Sequence, residues 1–283
     1  MSAAATKNKM FNVVQKGTIK KLFKKIQNQK ISQDIMDQTS RVTQISLNLY
    51  LLRANKEHHY TLKISTRLGR TRYKEQFMFL YRDDLVDLVS SYQFDDEVTE
   101  GGDVFARDPY ILRFRCLNTV LKDLVMIPVH TKPEDSEKEL DELYDVFQNV
   151  KKKWRTDNIM ILGDFNADDA YVSNHKNFHW LIGDDVDTTA STKNTNTYDR
   201  IVVYGDDMLN AVVPNSAKTF NFQEEFKLSE AQVCFDSCFS ANKLLLCSLP
   251  YLQYHTEYDW PEGVYTQNDK ADRFVFCHIS QSI

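Results

Sequence analysis

The 283-residue chain sets 35 Lys and Arg against 40 Asp and Glu, a net charge of −5, with 42% apolar and 27% charged residues. This is a globular balance, and it argues against a protein whose affinity for nucleic acid rests on a broad basic face, while leaving room for an enzyme that needs only local basic contacts and a metal. Gly and Pro, at 8 and 6 residues, are too few for low-complexity disorder, and no apolar run approaches the roughly 20 residues of a membrane span.

The opening MSAAATKNKM lacks the apolar stretch of an export signal. An intracellular location, nucleus or cytoplasm, is therefore the expectation over secretion. The cysteines Cys116, Cys234, Cys238, Cys247 and Cys277 are odd in number and include no second pair at zinc-ligand spacing, which reads as free thiols in a reducing compartment.

In chain order, residues 16–30 (KGTIKKLFKKIQNQK) predict a surface helix with Ile19, Leu22, Phe23 and Ile26 on one face. His59 to Ser65 alternates as a strand does. Gln76 to Tyr81 is continuously apolar, the pattern of a strand buried on both faces, and Tyr110 to Cys116 is a further strand. Leu121 to His130 predicts a strand, Glu134 to Trp154 a helix with acids in its first turn and lysines in its last, and Asn158 to Leu162 a second strand running into GDFNAD. Strand, helix, strand with short connections is a βαβ unit, whose parallel strands end at one sheet edge. His130, Asp164 and Asn166 are thus expected together at that edge, where open α/β sheets build their sites. Asp199, just before the apolar run Ile201 to Tyr204, joins them if that strand is antiparallel to its neighbour.

Each of these residues has a plainer alternative. Gly, Asp and Asn favour turns, so GDFN reads equally as a metal ligand with a phosphate-orienting amide or as a turn. His130 alone reads as a core histidine, Glu75 as a surface acid, and Asp199 as a partner of Arg200 or a loop cap.

The strings MILGDFNAD and TYDRIVVYG resemble the deoxyribonuclease I family, as do LGRTRYKEQFMFLYR (68–82), ARDPYILRF (106–114), MIPVHTKPEDSEKELDELYDVF (126–147), FHWLIGDDVDTT (178–189) and VVPNSAKTFNFQ (212–223). The likeness runs from about residue 57 to 230. It implies an α/β fold, a four-layer αββα sandwich of two packed mixed β-sheets flanked by helices, with residues 1–230 as the domain (1–56 divergent) and 231–283 as a divergent C-terminal segment. It also implies hydrolysis of DNA phosphodiesters with Mg²⁺ or Mn²⁺, assisted by structural Ca²⁺. By resemblance Glu75 and His130 form one histidine–carboxylate pair, and Asp199 orients a second histidine. Asp164 and Asn166 take the metal and phosphate positions, and Asn12 the asparagine of an early metal-side motif. Arg107 and Tyr73 contact DNA phosphate and sugar, and Asp187 and Thr189 resemble a calcium loop. Some family members bind actin, and no segment here is assignable to that contact. TYDRIVVYG with YKEQFMFLYR favours the DNA branch over phosphoesterases of inositol phosphates or lipids.

The pattern breaks in four places. The family's metal-binding glutamate is missing from QDIMDQTSR, where Asp37 is the nearest acid. Its Ser-Asp-His motif is missing after LSEAQ (228–232), and neither His255 nor His278 stands in a matching context. About ten residues are missing between Val172 and Phe178. Asp169 and Asn196 stand where the family has a disulfide. Such losses predict impaired hydrolysis, with a non-catalytic scaffold that binds DNA or a protein partner as the alternative, and they predict unpaired sheet edges at the replaced segments.

Overall fold

The computed structural model describes residues 60–71, 74–95, 102–117, 119–167, 176–189, 195–220, 244–249 and 272–281. Asn12, Asp37, Tyr73, His255 and the helix predicted over 16–30 lie outside the described residues.

Eleven strands form two sheets among the described residues. The first has the order β1 (Tyr60–Ile64), β2 (Lys74–Arg82), β11 (Asp272–Gln281), β10 (Leu244–Leu249), β9 (Lys218–Phe220), every pair antiparallel. The second has the order β3 (Val86–Gln93), β4 (Tyr110–Cys116), β5 (Asp123–His130), β6 (Ile159–Asp164), β8 (Asp199–Tyr204), β7 (Phe178–Trp180), and is mixed, with β5 and β6 parallel. The helix α1 (Ser136–Trp154) makes the crossover between those two strands, and the short α2 (Asp206–Asn210) follows β8.

Period-two alternation sorts the second sheet's side chains between two apolar layers. Leu124 and Met126 of β5 join Leu112 and Phe114, Met160 and Leu162, and Ile201 and Val203 against Phe77, Phe79 and Tyr81 of β2, filling the space between the sheets. Val125, Ile127 and Val129 face the other way, with Ile159 and Ile161, onto Leu143, Val146, Phe147 and Val150 of α1. The latter four recur at helical spacing, so α1 buries one stripe. Each fully covered side chain of this size contributes roughly 1.5–3 kcal/mol relative to exposure.

The βαβ unit, β1, β2, β4 and β8 stand where the sequence puts them, to within a few residues at their ends. Two features differ from expectation. The strand β3 gave no clear signal because it is an edge strand with only Val86 fully buried, broken by a bulge between Leu88 and Ser90. The divergent C-terminal segment, expected to leave sheet edges unpaired, supplies β10 and β11. The latter inserts beside β2, pairing Val275 to Gln281 with Leu80 to Lys74, so β2 is not an edge.

Candidate active site

The register of the second sheet assembles the site. Asp164 ends β6; in the parallel direction it stands opposite His130, and in the antiparallel direction opposite Asp199. Three residues at positions 130, 164 and 199 are thereby made neighbours across three adjacent strands. The strand ends are stitched together beyond the ladder. Thr131 donates its amide to the Asp164 carbonyl at 3.1 Å and its hydroxyl to the Phe165 carbonyl at 2.6 Å, while Asn166 Nδ2 donates to the Thr131 carbonyl at 2.8 Å.

Glu75 arrives from the other sheet. It sits near the start of β2, its backbone held by a two-way bridge to Leu68. Its carboxylate spans the rim of the sandwich, with Oε2 2.9 Å from His130 Nδ1. On the far side of the imidazole, Nε2 lies 3.7 Å from Asp164 Oδ2. The order Glu75, His130, Asp164 orients the ring. A carboxylate at Nδ1 favours the tautomer with its proton there, which turns Nε2 toward Asp164 as the proton-exchanging atom. Relative exposures of 8%, 9%, 5% and 7% for Glu75, His130, Asp164 and Asp199 put all four in a largely dehydrated setting, where charge–charge interactions are stronger than in water.

Arg107, on the loop between β3 and β4, is expected by resemblance to meet DNA phosphate. In this structure it meets Glu75, with Nε 2.6 Å from Oε2 and Nη2 2.7 Å from Oε1. The Nη2–Oε1 contact is a hydrogen bond and the Nε–Oε2 contact an ion pair, so Arg107 and His130 share Oε2.

The two readings of GDFN prove compatible. Asn166 has φ 44° and donates its amide to Asp164 Oδ1 at 2.9 Å. This is a turn closed by the aspartate's own side chain, and its other oxygen, Oδ2, faces His130. Asp199 begins β8 beside the rim, buried at 7% exposure. Thr188 Oγ1 accepts the amides of Tyr198 and Asp199 at 2.9 and 3.0 Å, which seats the start of β8, while Arg200 reaches Asp184 Oδ1 at 2.5 Å and the Ile182 carbonyl at 3.1 Å. Asp187 and Thr189 flank Thr188, the residue that seats Asp199. Both the amide and the hydroxyl of Thr189 donate to Asp187 Oδ1 at 2.9 Å, a local turn.

Glu139 is a residue that sequence reasoning passed over. It lies in the first turn of α1, is 1% exposed, and accepts the Lys132 amide at 2.9 Å on Oε1 and the Ala106 amide at 3.2 Å on Oε2. Thr131 and Thr188 were also missed, although Thr131 directly follows His130.

The donors here are oxygens of Asp164 and Asn166, with Asp199 adjacent. That set suits a hydrated Mg²⁺, which is commonly held by one or two carboxylates together with substrate phosphate; among the described residues no group of three or more His, Cys, Asp or Glu is placed to hold a metal by itself.

The sequence profile of the Endonuclease/Exonuclease/phosphatase family matches residues 33–217. The human deoxyribonuclease gamma (Homo sapiens) is 40% identical over 209 residues, 70% of this chain and 68% of that protein. The rat deoxyribonuclease gamma (Rattus norvegicus) is 43% identical over 183 residues, 61% and 59% of the two chains. The rabbit deoxyribonuclease-1 (Oryctolagus cuniculus) is 41% identical over 208 residues, 70% and 73%. The match to these relatives thus spans roughly three fifths to three quarters of their length. With the two-sheet sandwich and the shared rim of β5, β6 and β8 in place, the chain belongs to the deoxyribonuclease I branch of the Endonuclease/Exonuclease/phosphatase family.

Proposed function

We propose that this chain is a metal-dependent endonuclease that hydrolyses phosphodiester bonds of DNA at the rim formed by Glu75, His130, Asp164, Asn166 and Asp199. The observation that carries the reading is the line Glu75, His130, Asp164, with 2.9 and 3.7 Å separations, built from two sheets at one edge. Glu75 holds the proton on His130 Nδ1, and Nε2 exchanges a proton with an oxygen of the scissile phosphodiester as water adds to phosphorus and the ester oxygen departs. Asp164, with Asn166 beside it, is the residue that would hold Mg²⁺ or Mn²⁺. A divalent ion there offsets the charge that builds on the phosphoryl oxygens and lowers the pKa of bound water. Arg107 adds a cation beside the Glu75 carboxylate and is the residue that would meet a DNA phosphate. Asp187 and Thr189, joined by the turn at Asp187 Oδ1, are the residues that would hold Ca²⁺.

The test is a plasmid-nicking assay in Mg²⁺. The reading predicts nicking that EDTA abolishes and that falls about 10²–10⁴-fold in His130→Ala, the usual cost of a lost general acid or base. Nicking that His130→Ala leaves intact contradicts it. A non-catalytic DNA-binding scaffold is the second reading, favoured by the missing Ser-Asp-His motif after residues 228–232. DNA binding with no nicking by the unmodified chain decides for that reading.

A further inference from the structure

Glu139 is a buried acid with an unusual pair of partners. First-turn acids of a helix ordinarily face solvent and act on the helix dipole, as the exposed Glu137 does. Glu139 instead points inward and divides its two oxygens between two amides from distant parts of the chain. One belongs to Lys132, two residues after His130, and the other to Ala106, the residue before Arg107. His130 and Arg107 are the two groups that hold Glu75, and both reach the same oxygen, Oε2, at 2.9 and 2.6 Å.

We infer that Glu139 is a positioning residue whose carboxylate clamps the Arg107 segment to the loop behind His130, and so fixes the joint grip of Arg107 and His130 on Glu75. The inference rests on the proposed phosphodiesterase reading for its catalytic consequence and on this geometry alone for the clamp. The loop and the strand end also share a buried apolar cluster through Phe105 and Val129, so the clamp adds polar registration to that packing. Arg107 hangs on the connection before β4, while His130 ends β5 and is tied by Thr131 to β6. Among the described contacts, Glu139 joins them by charge-assisted hydrogen bonds from a rigid helix, the kind of support that holds reacting groups within a fraction of an ångström. The substitution Glu139→Gln keeps the shape but replaces one acceptor oxygen with an NH₂ donor, which meets a backbone N–H head-on and releases one of the two segments.

The experiment compares Glu139→Gln with Leu143→Ala, a cavity-forming change in the same helix and away from the rim. Two readouts are followed. One is the downfield proton resonance of His130 Nδ1–H, assigned by its disappearance in His130→Gln. The other is kcat for plasmid nicking per folded molecule. The clamp predicts that Glu139→Gln broadens or abolishes the resonance and lowers kcat about tenfold, as small misplacements of reacting groups do, whereas Leu143→Ala loses thermal stability and keeps both. A resonance and kcat unchanged in Glu139→Gln, or altered equally in Leu143→Ala, overturns the inference. If the unmodified chain does not nick DNA, the functional reading fails, and the resonance still decides the clamp. Should Glu139→Gln not fold, amide hydrogen exchange in the unmodified chain takes its place. Protection of Ala106 and Lys132 to the level of the α1 interior is expected, and unprotected exchange at either overturns the clamp.

Discussion

Arg107 and His130 converge on one oxygen of Glu75, and that shared atom sets what each side chain can do. The guanidinium fork holds both oxygens at 2.6 and 2.7 Å, a geometry lysine cannot reproduce. Arg107→Lys is therefore expected to lower kcat/KM by about tenfold, ~1.4 kcal/mol of transition-state stabilisation, while the melting temperature stays within a few degrees; steady-state nicking kinetics check it. Glu139 carries a pH signature of its own. Burial pushes its carboxyl above the usual 4.5, opposed by the Lys132 and Ala106 amides and by the Arg107 and Arg70 charges. With the folded pKa raised, the unfolded chain releases this proton first. The stability contributed by protonated Glu139 is full below 4.5 and is lost as pH rises through the raised folded value. Urea titrations across that acidic range should show this falling component in the unmodified chain and not in Glu139→Gln; an identical pH dependence in the two rejects it. His130, Asp164 and Asp199 were legible in the sequence because each ends or begins an apolar run, and short connections fix which sheet edge those ends share. Glu139 was not, because Glu137 and Glu139 look alike in a first turn and only the loop positions in space tell them apart.

The element that sets the most exact demand is β6. Gly163 has φ 138°, and a Cβ there would lie 2.0 Å from the Val129 carbonyl oxygen of the parallel neighbour. The glycine of GDFN is thus required by the β5–β6 spacing one residue before the site, as well as by any turn. Gly163→Ala should cost at least about 1–3 kcal/mol through forced displacement and should also lower nicking per folded molecule, since the shift separates Asp164 from His130; equal activity after correction for folding would show that the strand ends adjust independently. At the other end of α1, Arg155 is exposed at φ 51°, ψ 49°, a left-handed cap occupied by a residue with a Cβ. Arg155→Gly is expected to raise stability by about 0.5–1 kcal/mol, the steric relief exceeding the added chain entropy, and a lower midpoint in urea would contradict that. The β5–α1–β6 unit was readable because its hydrophobic periods are long and unbroken. The strand β3 was not, since a bulged edge strand shows little alternation, and the place of β11 beside β2 depends on a long-range pairing that no local pattern encodes.

Across the whole molecule, the sandwich depends on aromatic residues packed in two separate layers. Tyr81 lies between the sheets, 5.0 Å from Phe114 in an edge-on contact, and Tyr92 packs on Trp154 at 5.4 Å beneath the end of α1. Burial raises both phenols from 10.0 to about 12. The unfolded chain ionises first, so stability should fall as pH rises from 10.0 to about 12. Thermal melts with tyrosinate absorbance check it, and a flat stability curve across that window would contradict the burial. The fold class was legible through the family resemblance; the sheet that carries Glu75 was only half legible, because β2 and β11 lie far apart in the chain. That union of two sheets at one rim brings residues 75, 130 and 164 together in the proposed phosphodiesterase site, and the most direct measurement of it is a double-mutant cycle on Mg²⁺-dependent nicking with Glu75→Gln and Asp164→Asn. If both act through His130 in one pocket, the double variant loses little more than the worse single variant. If the two losses multiply, Glu75 and Asp164 belong to separate sites, and the account is wrong.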